Sequence, residues 1–246
     1  YYGSSGVPSI YVVSGRSIYE ISYGYIIRTK MFESVVRGVV GRDIDGNNYI
    51  DFIISTELGE IYVLAYDFSV TAHGAVGEEI NEVLYGDIGG EKSLLIAKDF
   101  EVAYARIDGS SINVLSKFSA GNRFYSAIIH HSDTYGFIII AGGEDGYIYY
   151  YTLDGALIAR MYIGGTISQI MEYGDALIIN NGSVVLVDQE NLLRSNLTNT
   201  DKIVLGEVDG DFSSLDIVAL SNGEIYYIEN PESSMDAVCI STGKIY

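Results

Sequence analysis

The chain has 246 residues, of which 48% are hydrophobic and 19% are charged, so it can bury a sizeable core and is too apolar to be disordered. Acidic residues outnumber basic ones 33 to 14, and the formal net charge of -19 repels a phosphate backbone. We therefore expect no nucleic-acid partner. Cys239 is the only cysteine, which excludes an internal disulfide, and no apolar run approaches the ~18 residues of a membrane helix.

The start of the chain, two glycosylation sequons and the composition predict an exported protein. The sequence begins with "YYGSSG" rather than with methionine, so we expect a processed mature form or an excised piece. Asn181-Gly-Ser and Asn196-Leu-Thr are acceptor sequons for N-glycosylation. The low charge density and the abundance of Tyr, Ser and Ile resemble exported proteins of archaea. These features predict an extracellular or cell-surface location.

Strand-like runs separated by Gly, Asn or Asp follow one another along the whole chain. Residues 1–34 hold three of them, "SIYVVSG", "SIYEIS" and "YIIRTKM". Five similar units follow, each with an apolar strand, an acidic turn, a second apolar strand, a turn and a third strand. The first strands of these units begin near Val36, Glu82, Ala127, Gln169 and Ile203.

The spacing of the units, 34 to 46 residues, is close to the ~40 to 50 residues of a four-stranded propeller blade. The head supplies three strands that lack a fourth, and the run "DAVCIST" in the tail, residues 231–246, is a candidate for it. We therefore predict an all-β fold, a single β-propeller domain over residues 1–246 with about six four-stranded blades. Strands from both termini would close the ring. A sandwich of two sheets is the alternative, but it does not explain five similar units.

The loop "DIDGNNYID" at residues 43–51 places oxygen-bearing residues at every second position. Asp43, Asp45 and Asn47 stand at positions one, three and five, the carbonyl of Tyr49 at seven, and Asp51 at nine. Calcium takes six to eight oxygen ligands, and a curled loop turns alternate residues inward. The helix-flanked calcium loop fits poorly, because strands flank these residues and no Glu occupies position twelve.

This loop resembles the "DxDxDGxxD" loop of FG-GAP or VCBS-type propeller repeats, which integrin α-chain heads contain. In that family the loop lies between the first two strands of a blade and binds calcium. The resemblance implies five calcium ligands here: Asp43, Asp45, Asn47, the Tyr49 carbonyl and Asp51. Asn48 stands where the family has glycine, and asparagine tolerates the left-handed backbone conformation better than most residues.

Two further loops repeat part of this pattern. A second, weaker calcium site is predicted at Glu207, Asp209, Asp211 and Asp216, of which the last comes one residue late. The third loop keeps Asp87 and Glu91 but has Gly89 and no final acid, so we interpret it as a metal-free turn. For all three loops the alternative is an Asx-type turn whose side chains bind their own backbone.

The later units, above all "DGYIYYYTLDGALIARMYIGG", are similar to PQQ-type propeller repeats, although the chain lacks the tryptophan usual there. On a strand Tyr147, Tyr149 and Tyr151 share one face. Two interpretations stay open for this face. It packs between blades, or it is a surface that binds sugar or protein.

Few residues suggest catalysis. His130 and His131 are adjacent and point to opposite faces of a strand, so they cannot hold one metal together, and His73 stands alone. No G-x-S-x-G motif is present, "STGKIY" lacks the features of a phosphate loop, and "AGGEDG" is typical of a hairpin turn. We predict that the protein is not an enzyme.

Together these expectations describe a non-catalytic propeller on the cell surface or outside the cell, with calcium-stabilised loops. Its predicted role is adhesion or structural assembly, for example as a subunit of a filament or surface layer, with other protein subunits as partners. Strand addition from the tail would be one route to assembly. The alternative is a sensory propeller that binds a carbohydrate or another ligand.

Overall fold

The computed structural model describes residues 9–77, 79–188, 191–206, 216–229, 231, 235 and 237–241. Among these residues every helix-or-strand element is a β-strand, which confirms the all-β prediction. No helix in this part of the chain is long and apolar enough to cross a membrane. The chain divides into two compact units, unit 1 with residues 1–124 and 153–156, and unit 2 with residues 125–152 and 157–246.

Unit 1 begins with a three-stranded antiparallel sheet in the order β1-β2-β3. The strands are β1 (Ile10–Ser14), β2 (Ser17–Ser22) and β3 (Tyr25–Met31). Gly15, with φ of 57°, lies in the two-residue turn that joins β1 to β2. The middle strand is the most buried of the three, and Ile18 at its start is fully shielded from solvent. Both outer strands of this sheet are edge strands.

The second sheet of unit 1 has eight strands in the order β4-β5-β6-β7-β11-β10-β9-β8. They are β4 (Val36–Arg42), β5 (Asp51–Thr56), β6 (Glu60–Leu64), β7 (Val70–Ala75), β8 (Ile80–Ile88), β9 (Glu91–Lys98), β10 (Val102–Asp108) and β11 (Ser111–Phe118). Two antiparallel meanders, β4–β7 and β8–β11, meet through one parallel pair, His73 with Ser111. A Cβ on Gly74 would lie 2.8 Å from the Cβ of Ile112, so glycine permits this close approach.

Unit 2 consists of three four-stranded sheets, each with its strands in chain order. The first contains β12 (Phe124–Ser132), β13 (Gly136–Gly143), β14 (Tyr147–Thr152) and β15 (Leu157–Tyr162). The second contains β16 (Gln169–Tyr173), β17 (Ala176–Asn180), β18 (Val184–Asp188) and β19 (Asn191–Arg194). The third contains β20 (Thr200–Gly206), β21 (Asp216–Ser221), β22 (Glu224–Ile228) and β23 (Val238–Ser241).

The predicted repeat is present. The strands that open the five meanders, β4, β8, β12, β16 and β20, begin within three residues of their predicted starts. The described sheets are nevertheless one of three strands, one of eight and three of four, rather than six of four. The difference has two sources. The head sheet, β1-β2-β3, has three strands, and the His73–Ser111 pair joins two four-stranded meanders into one sheet of eight.

The predicted position of the tail strand is wrong. β23 pairs antiparallel with β22, Cys239 opposite Tyr226, and it completes the last sheet instead of the head sheet. Strands that follow one another in sequence pair at a lower loop-closure cost than strands from opposite ends of the chain. Closure of a ring by this strand is therefore not observed.

The core of each unit is formed by the second and third strands of the meanders. β5 is buried at every position, as are the five residues of β17. In unit 1 these strands contribute Ile53, Leu94 and Ile96 to one apolar cluster, and in unit 2 Ile178 and Leu186 to another. Burial on both faces explains why these segments read as continuous apolar runs in the sequence.

Candidate functional site

The acidic loop joins β4 to β5 in unit 1. β4 ends at Arg42 and β5 begins at Asp51, and these two residues face each other in the strand register. Gly46 and Asn48 both have left-handed backbone conformations, with φ of 80° and 68°. Asn48 thus adopts a conformation that favours glycine, the residue that stands at this position in the loops it resembles. The loop lies between the first two strands of its meander, as predicted.

Hydrogen bonds within the loop hold its first carboxylate in place. Oδ1 of Asp43 accepts the backbone N–H groups of Gly46 at 2.8 Å and Asn47 at 3.1 Å, and Oδ2 accepts that of Asn48 at 2.9 Å. Asp45 accepts the backbone N–H of Asn47 at 3.1 Å. These are the bonds of an Asx-type turn. An ionised carboxylate has about four acceptor positions, so both side chains retain positions for a cation.

The fifth and seventh positions of the loop are also ordered by hydrogen bonds. Nδ2 of Asn47 donates to Oδ2 of Asp45 at 2.9 Å, and Oδ1 of Asn47 accepts the backbone N–H of Tyr49 at 2.7 Å. The ring of Tyr49 stacks on that of Tyr66, with centroids 4.8 Å apart. The loop is therefore packed against the protein at its C-terminal end.

Asp51 is the buried acid of the site, with only 3% of its surface exposed. Its Oδ2 accepts the backbone N–H of Ile44 at 2.9 Å, whereas its Oδ1 is buried without a hydrogen-bond partner among the described residues. Burial raises the pKa of this carboxyl, the Ile44 N–H opposes that shift, and the charges of Asp45 and Asp43 add to it. Backbone N–H groups therefore stabilise a negative charge here, but no ion-pair partner among the described residues does so.

The three acids converge on one point. One carboxylate oxygen from each of Asp43, Asp45 and Asp51 lies within 4.8 Å of the others. In the described part of the chain no Lys or Arg forms an ion pair with any of them. A set of three carboxylates fits a hard cation such as calcium, and Asp51 has an oxygen, Oδ1, without a hydrogen-bond partner among the described residues.

A cavity of about 190 Å³ lies beside the loop. Its lining comes from the loop and from both meanders of the eight-stranded sheet: Ile44, Asp45, Asp51, Val63, Thr71, Lys92, Ile107 and Gly109. Lys92 contributes the basic side chain of this lining, although it forms no ion pair with the acids. The sequence did not predict this cavity, because β9 and β10 are brought to the loop by the tertiary fold.

The other predicted metal positions are placed as follows. Glu207, Asp209 and Asp211 lie outside the described residues. Asp216 is the first residue of β21 and is 1% exposed, which matches the place of Asp51 at the start of β5. In the tight β8–β9 turn Asp87 accepts the backbone N–H of Gly90 at 2.8 Å, and Glu91 forms an ion pair with Arg106.

The two sequons differ in their surroundings. Asn181 is half-buried, and its Nδ2 donates to the carbonyl of Gly164 at 2.5 Å. Asn196 is exposed in the loop after β19, and its Oδ1 accepts the backbone N–H of Ala237 at 3.2 Å. A glycan on Asn181 would have to replace the bond to Gly164. Asn196 is therefore the better placed acceptor.

The tyrosine face of β14 packs largely inside unit 2. Tyr149 and Tyr151 are 4% and 3% exposed, with stacked rings 6.1 Å apart, so the packing interpretation is correct for these two. Tyr147 is half-buried, and the guanidinium of Arg160 lies 5.0 Å from its ring centroid. The exposed ring of Tyr162 lies 5.0 Å from the same ring. Only this outer end of the row reaches solvent.

Unit 2 contains a larger cavity, of about 370 Å³, that the sequence did not predict. It lies between the first and second sheets of unit 2, and its lining is His130, Ser132, Tyr135, Ile138, Ile140, Tyr150, Ile158, Ala159, Met161, Asp175, Leu177 and Val187. Nδ1 of His130 lies 2.9 Å from Oε1 of Glu172, and this pair joins the two sheets at the rim. His131 is exposed and contacts the ring of Phe137 instead.

No protein-family model and no curated protein sequence matches the chain. Solved structures do match it. A crystal structure of BBS1N in complex with ARL6DN, soaked with lead, is 16% identical with a TM-score of 0.69, and covers 87% of this chain and 72% of its own. The mercury-soaked form of that complex is 18% identical, with a TM-score of 0.68 over the same shares of the two chains.

A third structure, of a protein of unknown function from Bacteroides caccae, is 13% identical with a TM-score of 0.60, and covers 94% of this chain and 93% of its own. At identities of 13% to 18% the structural similarity shows the fold alone. The protein has a β-propeller-like all-β fold. The specific resemblance to FG-GAP or VCBS repeats stays a prediction.

Proposed function

We propose that the protein is a non-catalytic propeller of about six blades that acts outside the cell or on its surface, in adhesion or structural assembly. Its first blade has three strands among the described residues, and a strand from a second copy of the chain supplies the fourth, as in a filament or surface layer. Calcium stabilises the loop at residues 43–51. The observation that carries the assembly role is the open edge of the head sheet.

Hydrogen bonds identify which strand the head sheet lacks. In the complete meander β4–β7, the fourth strand β7 is followed by Val76. The backbone N–H of Val76 donates at 2.8 Å to the carbonyl of Gly59, which lies in the turn between the second strand β5 and the third strand β6. After β3, the N–H of Phe32 donates at 2.8 Å to the carbonyl of Arg16, in the turn between β1 and β2. β1, β2 and β3 therefore correspond to the second, third and fourth strands of a blade. Among the described residues the strand that this sheet does not contain is the first, which would lie next to β1.

The free edge of β1 is suited to accept a strand. Among the described residues β1 pairs with β2 alone, so the backbone groups on its other side have no strand partner. Its outward side chains Ile10 and Val12 are 67% and 38% exposed, and the strand carries no charge. Native sheets rarely leave an apolar edge of this kind open, because it pairs readily with another chain.

The charge distribution favours a second copy as the donor. Residues 1–42 hold five basic and two acidic side chains, a net charge of +3, whereas the remaining residues hold nine basic and 31 acidic ones, a net charge of -22. The basic head of one copy is thus attracted to the acidic surface of the next. A protein partner also agrees with the similar structure of BBS1N, which is in complex with ARL6DN.

Light scattering and electron microscopy of the purified chain test the assembly. We expect oligomers or fibres that dissociate in high salt, and monomers for Val12→Lys, because a lysine at an open edge opposes strand addition. Phe137→Lys is the matched control, since Phe137 is 37% exposed on β13, which lies between β12 and β14 in its sheet. Monomers of the unaltered chain at every salt concentration, or fibres of the Val12 variant, would refute this role.

Two observations support calcium in the loop. Three carboxylates converge there without a basic partner in the described residues, and Oδ1 of the buried Asp51 has no hydrogen-bond partner among them. Calcium would bind to Asp43, Asp45 and Asp51, with Asn47 and the Tyr49 carbonyl completing the ligand set. Its charge would neutralise the acids and fix the β4–β5 connection, a structural role rather than a chemical one.

The alternative function is binding of a carbohydrate or another ligand by a sensory propeller. The cavity of about 370 Å³ in unit 2 supports it, because ligand sites are concave and mostly apolar with a few polar groups at the rim. A purified monomer that binds glycans on an array, without forming oligomers, would favour this alternative over assembly.

A further inference from the structure

The cavity of unit 2 has an apolar floor. Ile138, Ile140, Leu177 and Val187 are each at most 5% exposed, and they come from three strands of the two flanking sheets. Residues of β15 close one side of the cavity. Burial of an apolar group against such a floor is favourable by ~25 cal/mol for each Å² removed from water.

The rim of the cavity is polar and acidic. Asp175, in the turn between β16 and β17, is exposed and lines the opening. His130 also lines the cavity, and its Nδ1 lies 2.9 Å from Oε1 of Glu172 on β16. Two tyrosines complete the lining, Tyr135, which is 57% exposed, and Tyr150, whose pKa burial raises to about 12. Tyrosine ring faces attract cations.

The lining contains no Lys or Arg among the described residues, and its acidic side chain is Asp175. A phosphate, sulfate or carboxylate ligand would have to approach that carboxylate on a chain of net charge -19, and His130 of the lining is already paired with Glu172. A positive charge, in contrast, meets Asp175 at the opening. The electrostatics of the cavity therefore favour a cationic ligand over an anionic one.

We propose that this cavity is a binding site for an organic cation with an apolar body, such as an aromatic or aliphatic amine. The apolar body lies on the floor formed by Ile138, Ile140, Leu177 and Val187. The cationic group lies at the rim beside the Asp175 carboxylate. The inference rests on the ligand-binding alternative and not on assembly, so variants of the β1 edge leave it unchanged.

Titration calorimetry of the full chain with three phenyl probes of similar size tests the proposal. The probes are phenethylamine, which is cationic, 2-phenylethanol, which is neutral, and 3-phenylpropanoate, which is anionic. We expect the amine to bind most tightly and the anion most weakly. Asp175→Asn should weaken binding of the amine by about threefold to fivefold, the range of a partly exposed ion pair, and leave the alcohol unchanged.

Two further variants separate the site from general charge effects. Asp201→Asn removes the same charge from an exposed position on β20 that does not line the cavity, and it should leave the affinities unchanged. Ala159→Phe places a ring at an exposed position of the lining, and it should abolish binding of all three probes while the melting temperature is retained. Equal binding of amine and anion, or an amine preference that survives Asp175→Asn, would overturn the proposal. Loss of ligand binding alone would leave the oligomers unaffected, so the two functions fail separately.

Discussion

Glu101 and Asp51 are two carboxylates of unit 1 that are shielded from solvent to different degrees, and their surroundings are opposite in charge. Glu101 meets two lysines: Lys98, whose side chain is 1% exposed and forms an ion pair with it, and Lys117, whose Nζ lies 3.0 Å from Oε1. Although burial opposes the shift, these two partners lower the pKa of Glu101. Asp51 is more deeply buried and has no ion-pair partner among the described residues, and burial raises its pKa.

The difference lies in the countercharge. A buried charge is expensive unless it is paired, and in the Glu101 cluster the protein supplies both countercharges itself. In the loop the three carboxylates that include Asp51 converge without an ion-pair partner among the described residues. We propose calcium as the countercharge of the loop.

Removal of Lys98 should destabilise the protein most. Lys98→Met leaves Glu101 with one cation instead of two and deprives the carbonyl of Val76 of a donor at 3.3 Å, so we expect a loss of ~3 to 5 kcal/mol in the free energy of unfolding. Urea denaturation measures it. Lys117→Met is the matched control, since its side chain is 48% exposed and its loss should cost less than ~1 kcal/mol. Equal losses in the two variants would show that burial does not distinguish these lysines.

The Glu101 cluster should also make stability depend on pH. The folded pKa of Glu101 lies below its ordinary value of 4.5, so its contribution is complete above pH 4.5 and is lost as the pH falls through 4.5 towards the folded pKa. We expect the free energy of unfolding to fall more steeply between pH 6 and about pH 3 in the unaltered protein than in Glu101→Gln. Parallel curves would contradict the assignment of these partners.

A smaller effect is expected at Lys92, which lines the cavity beside the loop. Lys92→Met removes a positive charge near the cation site, so calcium affinity should rise by about twofold to fivefold, the range of a partly exposed charge interaction. Calcium titration followed by calorimetry measures it. Lys202→Met, which removes the same charge from an exposed position on β20, should leave the affinity unchanged. A fall in affinity on loss of Lys92 would show that it holds the loop in shape.

The repeat and the acidic loop could be predicted because both depend on local pattern. Apolar runs that end in glycine turns mark β5 and β13, and the alternation of Asp43, Asp45 and Asn47 is visible in five residues. The partner of β23 could not be predicted, since a short run such as "DAVCIST" matches any open edge. The bridge between His73 and Ser111 and the cavity of unit 2 also escaped prediction. Both depend on how strands that are distant in sequence pack against each other, and the spacing of residues does not reveal that packing.

His130 shows how a residue that lines a cavity can be overlooked in the sequence. In the sequence it is one of two adjacent histidines without a metal partner, and its contact with Glu172 spans 42 positions. Asp175 likewise reads as a turn residue before β17. Only the fold places these residues around an apolar floor.

Thermal melting of the purified protein in calcium and in chelator tests the central claim most directly. We predict that saturating calcium raises the melting temperature of the unaltered protein by about 5 °C or more and has no such effect on Asp51→Asn. In chelator the variant should be at least as stable as the unaltered protein, because a neutral amide replaces a buried, uncompensated charge. Asp87→Asn, in the β8–β9 turn, should keep the full calcium response. A melting temperature of the unaltered protein that is the same in calcium and in chelator would contradict the account.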